Sequence, residues 1–236
     1  MSTSIYDEAF EWYSKNWDPD RPVGEWWALL AETGWSFPSW PEGRGGRGLS
    51  PRDAKQVEQA RLDAGAYGPP KGLSTFLVAP TLLTYATSEQ LDRFMPGIVR
   101  GTDTWCQLFS EPGAGSDVAG LSCRAVQDGD EWVVNGQKIW TSTAHLADWI
   151  FCLVRTEPNA PKHKGISFLL FRMDTPGIEI RPLVDMTGNA NFNEVFFTDV
   201  RVPKDQVVGR RGDGWLVANA ILGHERDSLG NPDATL

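Results

Sequence analysis

The chain has 236 residues, of which 41% are hydrophobic and 22% charged, and this length accommodates two modest domains or one large one. A formal net charge of −9, with no cluster of Lys or Arg, argues against a nucleic-acid-binding protein, because neutralising phosphates requires a basic face. The N-terminus lacks the basic and apolar segments of a secretory signal, and no apolar run approaches the roughly 20 residues that span a bilayer.

The N-terminal part of the chain has the apolar spacing of helices. Phe10, Tyr13 and Trp17 recur at three- and four-residue intervals after Ile5, and a second such pattern follows a proline-containing break. The Gly- and Pro-rich stretch 34–50 is predicted to be a long loop. Three further helices are predicted: one opened by Ser50-Pro51, one over 76–83, and one from Ser88 that ends near Pro96.

After Thr104 the pattern changes to short extended runs rich in β-branched and aromatic residues. Asp128-Gly129 and Asn135-Gly136 stand between such runs, and these dipeptides favour tight hairpin turns because their glycines readily adopt positive φ. Strands at regular spacing without intervening helices predict an antiparallel barrel or sandwich. The predicted strands are 105–110, 131–134, 138–142, 149–155, 166–173, 178–182 and 194–202.

A last helix is predicted from Gly214. Ala218 and Ile221 belong to its apolar stripe, and on an ideal helix Glu225 falls only about 20° from Ala218. A carboxylate on the inner, apolar face of a helix is unusual and needs a structural or functional explanation. The run Gly230-Asn231-Pro232 is predicted to end this helix.

The three cysteines, Cys106, Cys123 and Cys152, form no CxxC pair and lie within strand-like runs. This pattern predicts buried reduced thiols and a cytoplasmic location, not a disulfide framework or a zinc site. The three histidines lie far apart in the sequence, so no metal site is predicted.

The segment 105–117, WCQLFSEPGAGSD, is the most informative in the chain. Gly113 and Gly115 follow a predicted strand, and glycines let main-chain N–H groups approach a ligand without an intervening Cβ. A plain glycine-rich turn is the alternative interpretation. The segment is not a dinucleotide-binding fingerprint, because the third glycine is misplaced and no strand-helix-strand unit surrounds it.

A second segment, 135–142, reads NGQKIWTS. By itself it predicts a hairpin turn followed by an edge strand, with Trp140 more typical of a core residue than of a catalytic one.

Taken together in order and spacing, the motifs resemble those of the acyl-CoA dehydrogenase family. The resemblance covers essentially the whole chain and agrees with the predicted order of helices, then strands, then a helix. The matching motifs are 111–117 (EPGAGSD), 135–140 (NGQKIW), 192–197 (FNEVFF) and 200–203 (VRVP).

The resemblance implies an oxidoreductase of fatty-acid or lipid metabolism that holds FAD non-covalently. It places Gln107, Phe109 and Ser110 against the isoalloxazine. Trp140 and Ser142 match positions where the family lays an aromatic ring and a hydroxyl on the flavin, although the family often has Thr in place of Ser142.

The resemblance also implies that the glycine-rich loop takes part in binding the flavin or the substrate. Gly115 and Ser116 would contact the flavin or the CoA arm of the substrate, so Ser116 is also a candidate substrate-binding residue.

The family removes an α-proton from an acyl-CoA thioester and passes hydride from the β-carbon to the flavin, giving a 2,3-enoyl-CoA. One branch carries its carboxylate base in the first C-terminal helix, which matches Glu225 here. Two alternatives stay open: Glu225 pairs with a basic neighbour such as Arg226, or the base lies beyond the end of this chain, as in the other branch.

The expected class is α+β, with an N-terminal helical domain over 1–103, a middle antiparallel β-barrel or sandwich domain over 104–213, and the start of a C-terminal helical bundle over 214–236. Family members continue for well over a hundred residues as a helical domain. The chain is therefore expected to be a fragment or truncated product, a subunit of a heteromer, or a non-catalytic acyl-CoA- or flavin-binding module. The expected partners are an acyl-CoA substrate, an electron-transfer flavoprotein or another electron acceptor, and further subunits of a homo- or hetero-oligomer.

Overall fold

The computed structural model describes residues 4–229, with side chains described as far as Arg226. The chain forms two compact units. One contains the chain up to Lys71 together with Leu91–Thr102, and the other contains Gly72–Gln90 and the chain from Asp103 onward. The predicted helix end at Gly230-Asn231-Pro232 lies outside the described residues.

Three helices of the first unit surround an aromatic core, and this unit also includes most of the helix over Ser88–Arg100. Ser4 and Ser50 cap two of them, each accepting a hydrogen bond from the backbone N–H three residues later, as the Ser-Pro signal at Pro51 predicts. Tyr13 and Trp26 are fully buried in this core. The helices are α1 (Ile5–Asn16), α2 (Val23–Thr33) and α3 (Pro51–Asp63).

Two further helices follow. The predicted helix over 76–83 exists as α4 (Ala79–Tyr85), preceded by a π-helical turn over Ser74–Val78. The predicted end near Pro96 is wrong, because α5 (Ser88–Arg100) continues through this proline. Phe94, Met95 and Ile98 are buried on either side of it, and their burial outweighs the one hydrogen bond that proline cannot donate.

The second unit is built on an eight-stranded sheet in the order β6-β7-β3-β2-β4-β5-β8, with β1 paired to β4. Most pairs are antiparallel, and the exceptions are β1 with β4 and a short contact of β2 with β4. The strands are β1 (Trp105–Leu108), β2 (Arg124–Asp128), β3 (Glu131–Ser142), β4 (Trp149–Arg155), β5 (Ile166–Arg172), β6 (Ile178–Leu183), β7 (Phe192–Pro203) and β8 (Val207–Val208).

The last helix, α6 (Gly214–Leu229), covers the apolar outer side of the central strands. It packs against β4, β5 and α4, which explains why β4 and β5 are buried on both faces and read as continuous apolar runs. Val217, Ala218 and Ile221 are fully buried on its inner side, in agreement with the predicted stripe.

The prediction of a hairpin turn at Asn135-Gly136 is wrong. Both residues lie within β3, a single twelve-residue strand that pairs with β2 on one side and β7 on the other, so β3 is not an edge strand either. The tight connection at Asp128-Gly129 does exist, between β2 and β3. Strand β2 was not predicted, because its residues are mostly exposed and polar and lack the apolar alternation of a core strand.

Glycine is required at position 136 for a reason other than a turn. Its φ is +150°, and a Cβ there would lie 2.7 Å from the Cα of Cys123. The register between β3 and β7 also shifts here, between Val134 and Gly136.

We expect Gly136→Ala to lower the free energy of unfolding by roughly 2–5 kcal/mol, from overpacking plus strain at positive φ. Gly129→Ala is the matched control: its φ of +60° carries strain, but a Cβ meets nothing within 4 Å, so about 1–2 kcal/mol is expected. Urea unfolding of both variants measures the difference. Equal losses would contradict the close approach at Gly136.

Among the helices described within residues 4–229, none combines the length and the apolar character needed to cross a membrane.

Candidate functional site

A cavity of about 200 Å³ lies in the second unit, where the ends of β1 and β3 meet α6. Most of the residues singled out from the motifs line it, although they are up to 118 positions apart in sequence, from Gln107 to Glu225. Its lining residues are Leu73, Gln107, Phe109, Ser110, Ile139, Trp140, Ser142 and Glu225.

The end of β1 forms one wall of this cavity. The backbone N–H of Ile139 donates to the carbonyl of Ser110 at 3.0 Å, which ties the end of β1 to β3. The ring of Phe109 is buried and makes edge contacts with Phe151 and Phe168, with centroids 5.9 and 6.3 Å away. Phe109 therefore supports the wall from behind, while Ser110 and Gln107 offer polar groups.

Trp140 forms the opposite wall and has an unusual conformation. It is 60% exposed and its φ is +60°, a region that costs a non-glycine residue about 1–2 kcal/mol. Its ring contacts Phe192 edge-on at 6.0 Å. The interpretation of Trp140 as a core residue is wrong. An exposed, strained aromatic side chain is typical of a position shaped for a ligand.

A bulge in β3 produces this conformation. The pairing of β3 with β7 shifts register between Lys138 and Thr141, and such bulges re-aim a side chain out of the sheet. The buried amide of Asn193 on β7 donates to the carbonyl of Thr141 at 3.1 Å and so fixes the strand just after the bulge. Ser142 follows at the strand end, exposed at the cavity rim.

Glu225 reaches the cavity from α6. Its side chain is partly buried, one helical turn beyond the buried Ile221. Within the described part of the chain, no ion pair joins Glu225 to Arg226 or to another basic side chain within 4.0 Å. Glu225 thus lies on the inner side of α6, as helical periodicity predicts, and the fold brings it beside the motif residues.

Gly115 and Ser116 do not line the cavity. They lie in the exposed loop after β1, next to a tight turn in which Glu111 and Ala114 exchange backbone hydrogen bonds of 3.0 Å. Neither Gly113 nor Gly115 has positive φ, and a Cβ at either would meet nothing within 4 Å. The fold itself does not require glycine at these two positions, so a requirement would have to come from something that approaches the loop.

A buried ion pair that was not predicted from the sequence lies behind the cavity. Lys138 and Glu111 have side-chain exposures of 0% and 3%, and their Nζ and Oε1 atoms are 2.9 Å apart. The sequence does contain a sign of this pair. Lys138 continues the inward-facing alternation of Trp132 and Val134 along β3, and a charged group on the core side of a strand needs a partner.

Further hydrogen bonds satisfy this pair. Nζ of Lys138 also donates to the carbonyl of Phe109 at 3.1 Å. The Glu111 carboxylate accepts from the backbone N–H of Ser122 at 2.6 Å, from its hydroxyl at 2.7 Å, and from the backbone N–H of Cys123 at 2.9 Å. Burial acts to raise the pKa of Glu111, but Lys138 and Ser122 stabilise the carboxylate and hold that pKa below its ordinary value.

The direction of this shift predicts acid sensitivity. Because the folded-state pKa of Glu111 is depressed, its contribution is complete above the unfolded-state value of 4.5 and is lost as the pH falls through the folded-state pKa. We expect the parent to lose stability below pH 4.5 more steeply than Glu111→Gln, measured as urea midpoints over a pH series. Parallel curves for the two proteins would show that Glu111 is not ionised in the folded state.

The thiols behave as predicted from sequence. Cys106, Cys123 and Cys152 are free and buried. Burial raises the pKa of Cys106 far above its ordinary value, which leaves that thiol unreactive at neutral pH. Within the described range, no group of three or more His, Cys, Asp or Glu side chains is placed to hold a metal ion.

The sequence matches two family models. "Acyl-CoA dehydrogenase, N-terminal domain" matches residues 1–102, and "Acyl-CoA dehydrogenase, middle domain" matches residues 106–200. The chain belongs to the acyl-CoA dehydrogenase family. The resemblance drawn from the motifs is thus confirmed, and so is the α+β class of N-terminal helices, a middle β-domain and the start of a C-terminal helix.

Named members of the acyl-CoA dehydrogenase family are similar over most of this chain. Acyl-CoA dehydrogenase IpdE1 of Mycobacterium tuberculosis is 50% identical over 206 residues, which cover 85% of this chain and 52% of that protein. The solved "Tcur3481-Tcur3483 steroid ACAD" matches with a TM-score of 0.72 and 33% identity, over 96% of this chain and 62% of that one. The ChsE4-ChsE5 complex from Mycobacterium tuberculosis matches with a TM-score of 0.69 and 35% identity, over 93% and 58%. The chain therefore spans about half the length of the curated relative.

Proposed function

We propose that this chain forms the flavin-facing part of an FAD-dependent dehydrogenase that oxidises an acyl-CoA thioester to a 2,3-enoyl-CoA. One observation carries the proposal: a carboxylate free of ion pairs in the described chain, Glu225, shares a small cavity with Trp140, Ser142 and Gln107. Those three residues are the ones that the family motifs place against a flavin. A base and a cofactor surface that meet in one cavity are what the reaction needs.

The lining residues suit the cofactor that the family typically binds. FAD, when bound, supplies the hydride acceptor of the reaction. The exposed ring of Trp140 offers a flat apolar surface to an isoalloxazine, and covering it would offset the strain of its backbone. The hydroxyls of Ser110 and Ser142 and the amide of Gln107 provide hydrogen-bonding groups around the rim of that surface.

Glu225 would act as the base. A carboxylate takes the α-proton of the thioester, and the partly buried position of Glu225 near the apolar Leu73 and Ile139 limits its contact with water. Hydrogen bonds to the thioester carbonyl would stabilise the developing enolate. The alternative, in which the base belongs to sequence beyond Leu236, predicts that Glu225 is dispensable.

The glycine-rich loop would bind the phosphate-bearing part of the flavin or of the CoA thioester. Gly115 and Ser116 offer main-chain N–H groups and a hydroxyl in a loop where no Cβ blocks approach. Ser116 is the residue in this loop that we propose for substrate contact.

Oligomeric assembly is the second element of the proposal. Two of the similar solved structures are named as pairs of proteins, Tcur3481-Tcur3483 and ChsE4-ChsE5. These neighbours favour a subunit of a heteromeric dehydrogenase over a non-catalytic binding module, which would have no use for Glu225 beside a flavin surface. An electron-transfer flavoprotein or another acceptor would reoxidise the flavin, and the buried free thiols suit a reducing compartment such as the cytoplasm.

The visible absorption spectrum of the purified chain tests this function, before and after anaerobic addition of a panel of acyl-CoA thioesters. A flavin spectrum that bleaches supports a dehydrogenase that is active by itself. Bound flavin that bleaches only after a candidate partner subunit is added supports the heteromeric form. A protein that takes up no FAD, alone or with the partner, would refute the proposed function.

A further inference from the structure

We infer that the buried Lys138–Glu111 ion pair is the positioning element that holds the cavity-lining ends of β1 and β3 in register with each other. The flavin part of this inference rests on the proposed function, whereas the structural part does not. Lys138 and Glu111 do not line the cavity, so they would act through the residues beside them.

The ammonium of Lys138 connects three segments of the chain. From β3 it reaches the end of β1, where it contacts the carbonyl of Phe109 at 3.1 Å and the carboxylate of Glu111 at 2.9 Å. That carboxylate in turn accepts from the backbone of Ser122 and Cys123, immediately before β2. The pair therefore links β3, the end of β1 and the approach to β2 through charge-assisted hydrogen bonds.

The residues held in this way are the cavity walls. Ser110 lies between Phe109 and Glu111, the two residues that Lys138 contacts, and Ile139 and Trp140 follow Lys138 directly. The hydrogen bond from Ile139 to Ser110 closes the ring formed by these contacts. A shift at Lys138 would therefore move both walls relative to each other.

The attraction between the two charges does not by itself explain a pair buried this deeply. Replacing both members of a buried ion pair with apolar residues of similar size is often neutral or stabilising, because it removes the cost of desolvating two charges. Apolar residues do not, however, supply hydrogen bonds that hold particular atoms of two segments in a defined geometry. The strained backbone of Trp140 persists only where its surroundings hold it in place, and the bulge begins right after Lys138.

The test separates positioning from stability by comparing the parent with Lys138→Met, Glu111→Gln and the double variant K138M/E111Q. Each single variant leaves one buried charge unpaired, so both are expected to unfold at lower urea concentration. In the double variant both buried charges are gone, and the amide oxygen at position 111 still accepts from the backbone N–H groups of Ser122 and Cys123, so the parental urea midpoint is expected to be recovered. FAD binding is nevertheless expected to be about tenfold weaker, with a visible band shifted from that of the parent. Lys204→Met, which removes an exposed lysine paired with Asp130, is the matched control and should change neither quantity.

Amide hydrogen exchange of the flavin-free proteins provides a readout that does not depend on the proposed function. In the double variant we expect the Ile139 amide, which donates to Ser110, to exchange about tenfold faster, while amides of β5 exchange at the parental rate. Parental exchange at Ile139 would overturn the inference even if FAD binds. If the parent binds no FAD, alone or with a partner subunit, the proposed function fails, and faster exchange at Ile139 still supports the positioning role.

The inference is also overturned if the double variant binds FAD as tightly as the parent, with the same spectrum. A loss of FAD that follows the urea midpoint across all four variants would show that the pair matters only for stability. Recovery of the midpoint without recovery of FAD binding is the result that a positioning role requires.

Discussion

Glu225→Gln is expected to slow the bleaching of bound flavin by an acyl-CoA thioester roughly 10²–10⁴-fold, the usual contribution of a positioned general base. The amide has nearly the same size as the carboxylate but does not accept the α-proton. Because Glu225 is not one of the residues proposed to contact the flavin, the affinity for FAD should stay within a few-fold of the parent. Anaerobic stopped-flow absorbance measures the rate, and a flavin titration measures the affinity.

The neighbouring Arg226→Gln is the matched control. It removes a charge from the same helical turn, yet Arg226 is exposed and does not line the cavity, so its bleaching rate should equal that of the parent. Exchange of the thioester α-proton with solvent deuterium provides a second readout that needs the base but no electron acceptor. Unchanged rates in Glu225→Gln by both methods would place the base elsewhere.

Replacing Trp140 is expected to have opposite effects on flavin binding and stability. Trp140→Gly removes the aromatic surface and should weaken FAD binding about tenfold or more, equivalent to about 1.4 kcal/mol. Since glycine adopts positive φ without strain and the ring is 60% exposed, the same variant should be as stable as the parent or more stable. Flavin titration and urea unfolding test the two halves separately.

Trp140→Ala distinguishes the contributions of ring and backbone. Alanine lacks the ring but keeps a Cβ at φ +60°, so it should lose as much FAD affinity as the glycine variant without its gain in stability. Trp140→Phe retains an aromatic face and should fall between the parent and Trp140→Ala in FAD affinity. A glycine variant that holds FAD as firmly as the parent would refute the flavin contact.

Much of the candidate site could be predicted because its determinants are local. The motif around Ser110 and the motif around Trp140 are short runs whose residue types and spacing are read directly from the chain. Glu225 was placed by helical periodicity, since one apolar stripe fixes which side of a helix is buried. That these three regions share one cavity agrees with the family's order of elements, although their roles toward a flavin remain predictions.

Other features depended on tertiary contacts. The end of α5 could not be predicted at Pro96, because the packing of Phe94 and Ile98 overrides the local effect of a proline. Asn135-Gly136 carries a typical turn signal, yet pairing with β7 extends β3 through it. Glycine is needed at position 136 because a Cβ there would lie only 2.7 Å from the Cα of Cys123.

The family, the general order of helices and strands, and most of the residues that line the cavity could be predicted from the sequence, because they follow from local periodicity and from motifs with fixed spacing. Three features emerge only from the folded chain: Trp140 is exposed and strained, Gly115 and Ser116 lie outside the cavity, and Lys138 contacts Glu111 across 27 positions. All three have the same cause. Exposure, strain and the partner of a buried charge are set by contacts between segments that are distant in the chain, and a local pattern contains no record of such contacts.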